Sequence, residues 1–214
     1  MTATRWGQTE AAAGAVAAVL IIAATPGLPI WAGYLIVWAP LLLAVGVAAR
    51  RRTDASGTIR VRLRITWMDA LVGAFVGLLL RLTMMAIELF AVGHVSSSSS
   101  PFVVDHDAIW VFAAIIAPAI IAPVVEELFF RGLVLPAIGM NWVGVIGSAI
   151  IFAAVHLVYG FSPLTALSTF IVGVVLGVLA VRTQRLGAGI VAHIVYNASL
   201  IALSEFGGLT SIGG

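Results

Sequence analysis

The sequence predicts an all-α, polytopic membrane helix bundle of about seven or eight transmembrane helices around a buried polar site. Three observations carry this expectation. Hydrophobic residues make up 62% of the 214 residues and charged residues only 9%, the mean hydropathy is +1.15, and the apolar residues fall in long unbroken runs. Such values exclude an ordinary water-soluble domain. A hydrocarbon core of ~30 Å takes about 20 helical residues to cross, and runs of that order can be counted along the chain. The whole chain, 1–214, reads as a single transmembrane domain, with its chemistry in the half from about 108 to 206.

Seven runs are visible. The first, near 8–25, is Ala-rich and follows Arg5; its apolar heart from Ala11 to Ala24 is short, so it reads either as a retained span or as a signal peptide. The second lies near 28–49. The third, near 68–93, carries the small-residue pair Gly73 and Gly77 and two charges, Arg81 and Glu88. The fourth, near 108–138, holds Pro118 and Pro123 ahead of Glu126, Glu127 and Arg131; the prolines should bend it and free backbone groups that only a protein-lined cavity tolerates. The last three lie near 142–159, 164–181 and 188–206, the sixth bearing Gly173 and Gly177. Both glycine pairs let helix backbones approach closely, which points to packing within the bundle, with dimerisation as the alternative.

All eleven basic residues are Arg, and Arg50, Arg51, Arg52, Arg60, Arg62 and Arg64 crowd the link between the second and third runs. Basic loops stay in the cytoplasm, so this link is expected inside. Alternation then puts the Arg-free link His94–Asp107 outside and Arg182 and Arg185 inside, in agreement with the span count. The outer link contains five serines and Asp105-His106-Asp107, read as a solvated loop rather than a metal patch because nothing there fixes ligand geometry. Cysteine is absent, which excludes disulfides and a thiol nucleophile. Neither a nucleic-acid motif nor a fixed-period repeat is evident.

Ionisable groups inside membrane spans are costly, at ~2.5 to 3.5 kcal/mol each, and mark functional sites. At about 100° per residue, Glu127 and Arg131 share a helix face, where they can pair, while Glu126 points about a quarter turn away. Glu126 is then free to face a cavity as a general base. His156 shares a face with Phe152, and His193 with Asn197, each four residues apart. Together these groups are a set that amide hydrolysis needs. Glu126 with His156 can deprotonate a water, and His193 with Asn197 can donate hydrogen bonds to the oxyanion. A metal version is chemically coherent too: Glu126, His156 and His193 would be a two-His-one-carboxylate zinc set, although no His-Glu-x-x-His is present. The metal-free route is preferred, so no cofactor is expected.

Glu126-Glu127-x-x-Phe130-Arg131, Phe152-x-x-x-His156 and His193-x-x-x-Asn197 resemble the three motifs of the CPBP family, which groups CAAX prenyl proteases with bacteriocin-processing enzymes. The resemblance covers about Trp110 to Leu203. It implies an all-helical intramembrane endopeptidase whose site opens toward the cytoplasm and whose substrate is a membrane-associated protein or peptide, lipidated in some members. It also implies Glu126 and His156 as the residues that activate water, His193 and Asn197 as the oxyanion donors, and a supporting role for Glu127 and Arg131. Compactness and the absence of Lys suggest a bacterial cell membrane. Two rivals stand beside this reading: an ion-coupled transporter, since buried Glu, His and Arg also build proton relays, and a non-catalytic scaffold for another membrane protein. Arg81 and Glu88 lie outside the motifs; they share a face seven residues apart, which suits either a structural pair or a contact from Arg81 to a substrate carboxylate.

Overall fold

The computed structural model describes residues 7–25, 30–55, 62–92, 108–158 and 162–206. The link 94–107, with its serine run and Asp105-His106-Asp107, lies outside the described residues. The described residues form seven helical rods: α1 (Gln8–Ala24), α2 (Ile30–Ala55), α3 (Trp67–Val92), α4 (Ala108–Ile138), α5 (Trp142–Val158), α6 (Pro163–Thr183) and α7 (Gly187–Phe206). By length and composition four of them can cross a membrane, as Ala32–Arg50, Trp67–Phe90, Ala108–Ile138 and Pro163–Thr183; α1, α5 and α7 hold shorter apolar stretches. The fold is an all-α membrane helix bundle, as the hydropathy pattern predicts.

Small residues set the helix pairs. Gly73 and Gly77 of α3 face the backbone of α7: a Cβ on Gly73 would lie 2.7 Å from the Ala188 carbonyl oxygen, and one on Gly77 would meet the Ala192 carbonyl and come within 2.9 Å of Val195. The contacts advance in the same direction along both chains, so α3 and α7 run parallel. Gly173 and Gly177 of α6 play the same part against Ala149 and Val145 of α5 in an antiparallel pair. Both glycine pairs therefore pack the bundle internally. Gly14 of α1 sits on Ala44 of α2 and Phe129 of α4, which ties the N-terminal hairpin to the centre.

Polar contacts gather the arginine-bearing helix ends at one end of the bundle. Thr66 caps α3, its Oγ1 accepting from the Asp69 N–H at 3.2 Å while Asp69 accepts from the Thr66 N–H at 2.9 Å. Arg185, in the turn between α6 and α7, grips the same Asp69 with two N–H groups at 3.0 and 3.2 Å. Backbone bonds from Arg62 N–H to the Gln184 carbonyl and from Leu186 N–H to the Arg62 carbonyl join the two links. Gln8 at the start of α1 donates to the Ala137 carbonyl near the end of α4.

The centre of the bundle is α4, which is not a regular α-helix. Phe112–Ile121 and Glu127–Val134 are π-helical, with Ala122–Glu126 α-helical between them. Pro118 would drive its ring into the carbonyl of Ala114 in an α-helix, and a wider turn relieves that clash.

A side chain at Gly77 has nowhere to go, because its neighbours are backbone and a Cβ. Gly77→Leu is expected to destabilise the protein by about 3 kcal/mol or to prevent assembly, at the upper end of overpacking costs. Gly46→Ala, where nothing lies within 4 Å, should leave thermal unfolding in detergent unchanged. Equal unfolding temperatures for the two variants would show that α3 and α7 do not meet through this glycine.

Candidate active site

A cavity of about 430 Å³ lies between α2, α4, α5, α6 and α7, within the usual range for ligand sites. Glu126, Phe152, His156, His193 and Asn197 all line it, so one cavity gathers the residues expected to act, from three helices. Glu127 and Arg131 lie behind its wall and are fully buried.

The arrangement begins at Arg131. Its Nη1 donates to Glu127 Oε1 at 2.7 Å and its Nη2 to the Gly173 carbonyl of α6 at 3.1 Å, while its guanidinium carbon lies 4.7 Å from the centre of the Phe152 ring of α5. One cation thus ties α4 to α5 and α6. Glu127 continues the chain: the same Oε1 lies 3.2 Å from His193 Nδ1 on α7. An ionised carboxylate only accepts, so Nδ1 carries the hydrogen and donates to it. The other oxygen of Glu127, Oε2, is buried without a hydrogen-bond partner and lies where a Cβ on Gly189 would come to 2.9 Å. Gly189 therefore makes the space in which the carboxylate sits.

With Nδ1 turned to Glu127, His193 presents Nε2 to Glu126 Oε2 at 3.6 Å. That distance lies just beyond hydrogen-bond range. Beside the expected water-activating couple of Glu126 and His156, the structure places His193 between the two glutamates. His156 has its Nδ1 2.8 Å from the Phe152 carbonyl, an acceptor, so the hydrogen lies on Nδ1 and the Nε2 lone pair is directed elsewhere. Phe152 meets both imidazoles edge-on, with ring centres 4.7 Å from His156 and 5.8 Å from His193. Glu126 and His156 also share a narrower apolar crevice against Ala18 of α1 and Leu41 of α2.

Asn197 is fixed by the irregular backbone of α4. Ala122 N–H bonds the Ala117 carbonyl, five residues back, so the next bond in this register would run from residue 123 to the Pro118 carbonyl. Pro123 has no N–H to give, and the Asn197 side-chain amide supplies the missing donor to that carbonyl at 2.9 Å. One N–H of the amide is used in this way; the residue itself lines the cavity.

Sequence reasoning missed part of the cavity wall. Tyr34 and Trp38 of α2, stacked with ring centres 5.1 Å apart, form one side, and Thr169 and Tyr196 form part of another. The four-residue spacing of the two α2 aromatics was the available signal. Arg81 does pair with Glu88, Nη2 to Oε2 at 3.3 Å, and neither residue lines the cavity. Among the described residues, no group of three or more His, Asp or Glu side chains is placed to hold a metal ion.

Residues 108–199 match the family described as type II CAAX prenyl endopeptidase Rce1-like. This segment belongs to the CAAX protease family. The family is one of peptidases, so the likeness of this segment is to an intramembrane protease, and the four long apolar helices fit an integral membrane protein. The CAAX-protease segment starts at α4 and stops within α7, and so takes in all three motifs while leaving α1, α2 and α3 outside. No curated protein and no solved structure matches the chain.

Removing one member of a buried ion pair leaves the other charge uncompensated, which costs about 3–5 kcal/mol. Arg131→Met should lower stability by that amount, and Glu127→Gln combined with Arg131→Met should restore part of it. Unfolding of the two variants in the same detergent measures this; a double variant no more stable than the single would show that the pair is not the cause.

Proposed function

We propose that the protein is an intramembrane endopeptidase of the CAAX-protease type that hydrolyses a peptide bond of a membrane-associated protein or peptide by glutamate-activated water. The observation that carries this reading is the convergence of Glu126, His156, His193 and Asn197 on one cavity inside an apolar bundle. Glu126, in the cavity wall beside the His193 imidazole, can take the proton of a water held in the cavity as that water's oxygen attacks the scissile carbonyl. Glu126 then hands that proton to the leaving amine.

The remaining groups have complementary parts. His193, when protonated, donates from Nε2, with its charge balanced by Glu127; Asn197, already anchored to α4, offers its amide. Both suit the developing oxyanion, where each donor is worth roughly 2.7–4 kcal/mol. His156, fixed as the Nδ1–H tautomer, presents an acceptor that suits orientation of the attacking water. Glu127 and Arg131 support the site by holding His193 and do not meet the substrate. The cysteine-free, Arg-only chain suits a bacterial cell membrane with the arginine-bearing ends in the cytoplasm.

Glu126→Gln keeps the shape of the side chain and removes the base. Proteolysis should fall by about 10²–10⁴-fold, and Asn197→Ala should cost about 10²–10³-fold. Mass spectrometry of membrane-associated peptides and protein termini compares cells carrying the wild type and the Glu126→Gln variant at equal abundance. New termini lost with Gln identify the substrate, whereas identical termini with an unchanged phenotype favour a scaffold or carrier. A chelator leaves the metal-free enzyme active; loss of activity with the fold intact, restored by zinc, would replace glutamate catalysis with the metal-dependent version.

A further inference from the structure

We infer that the narrow crevice beside Glu126 and His156 is a side-chain subsite that admits only a small apolar residue next to the scissile bond. The inference rests on the peptidase reading and names a feature of the substrate that this reading leaves open.

The cavity has a side branch. Glu126, His156 and Trp38 line both the main space of about 430 Å³ and a second recess of about 30 Å³. His193 and Asn197 line the main space and not the recess. The two groups that act on water therefore stand where the spaces join, with the oxyanion donors on the larger side. A peptide whose scissile carbonyl faces those donors runs through the main space and has the recess beside the bond to be cut.

The walls decide what fits. Beyond Glu126 and His156 they are apolar, with Ala15 and Ala18 of α1, Val37 and Leu41 of α2, Phe129 of α4 and Val155 of α5. Ala18, Val37, Leu41 and Phe129 are at most 7% exposed, so packed side chains bound the space. A charged or amide side chain would find no partner there apart from the reacting groups, whereas an apolar one gains by leaving water. About 10–15 Å³ of such space holds one water, so the recess takes about two or three heavy atoms. The side chain of alanine or valine fits; that of leucine, methionine or phenylalanine does not, and neither does a lipid chain. Successive side chains of an extended peptide point to opposite sides, so the neighbours of the seated residue turn into the main space. Only one of the two positions flanking the bond is then restricted in size.

Most of this filter is built outside the segment that matches the family. Ala15, Ala18, Val37 and Leu41 all precede residue 108, where the match begins. Gly14 seats α1 for the purpose: a Cβ there would come 2.8 Å from the Ala44 Cβ of α2 and 2.9 Å from the Phe129 ring of α4. Ala18 follows one turn along α1, close enough to α4 for its methyl group to form part of the wall. The matched segment thus carries the reacting groups, and the N-terminal hairpin sets which peptide junctions reach them.

Resizing the recess should change the residue accepted beside the cut. Protein termini are compared by mass spectrometry in cells carrying the wild type, Glu126→Gln, Leu41→Ala, Val37→Ala or Ala18→Val at equal abundance. Termini that depend on Glu126 should show, at one and the same flanking position, no residue larger than valine. Exchanging that substrate residue for leucine should lower wild-type cleavage by about 10–200-fold, the range for one methylene too many in an apolar pocket, and Leu41→Ala should recover about tenfold or more. Val37→Ala should recover less, and Ala18→Val should slow cleavage beside valine while sparing alanine. Unfolding in detergent shows which variants are folded; if Leu41→Ala is not, Val37→Ala carries the comparison. Large or charged residues at both flanking positions of the wild-type termini, or leucine substrates cut equally by wild type and enlarged variants, overturn the inference and leave the peptidase standing. Termini unchanged by Glu126→Gln remove the peptidase reading and the subsite with it.

Discussion

The structure depends on a single ion pair sealed from both water and lipid. Arg131 and Glu127 are fully buried, 2.7 Å apart, and each makes a second contact on another helix: Arg131 with the Gly173 carbonyl and the face of Phe152, Glu127 with His193. A lone charge at this depth would be very costly, and even a pair gives little net stability over an apolar core. What the pair supplies is geometry. Because the guanidinium and carboxylate are planar and directional, they fix the positions of α4, α6 and α7 relative to one another and turn His193 so that its Nε2 faces Glu126.

The same logic extends to the backbone. Prolines inside a membrane helix leave carbonyls without donors, and a hydrocarbon surrounding offers none. In α4 the loss at Pro123 is met by the side chain of Asn197, which ties that residue to one position beside the cavity. Backbone irregularity and site geometry are thus one feature: the π-helical turns widen α4, the free carbonyl takes the amide, and the amide lines the cavity. Removing the irregularity would leave Asn197 without its anchor.

Much of this was legible in the sequence. The helices appeared in hydropathy because a membrane core demands long apolar runs, and their order and approximate limits agree with the structure. The Glu127–Arg131 pair followed from four-residue spacing, and the two glycine pairs from the need for close backbone approach. Contacts between helices distant in sequence were not legible. Nothing in one dimension shows that His193 stands between two glutamates, that Asn197 meets Pro118, or that Gly189 makes room for Glu127 Oε2. The aromatic wall of α2 escaped notice because Tyr34 and Trp38 look like ordinary membrane residues until the cavity beside them is known.

The spacing of the buried pair also bears on how the chain enters a bilayer. Glu127 and Arg131 belong to the same helix, one turn apart, so their charges neutralise each other as soon as that helix forms. The fourth span can therefore be handed to lipid with its most costly groups already matched, before the fifth, sixth and seventh exist. His193, Asn197 and the Gly173 carbonyl arrive later and complete contacts that the inserted helix holds open. Insertion and assembly are in this way separable steps, and the residues that make the site costly in lipid also allow it to be built in stages.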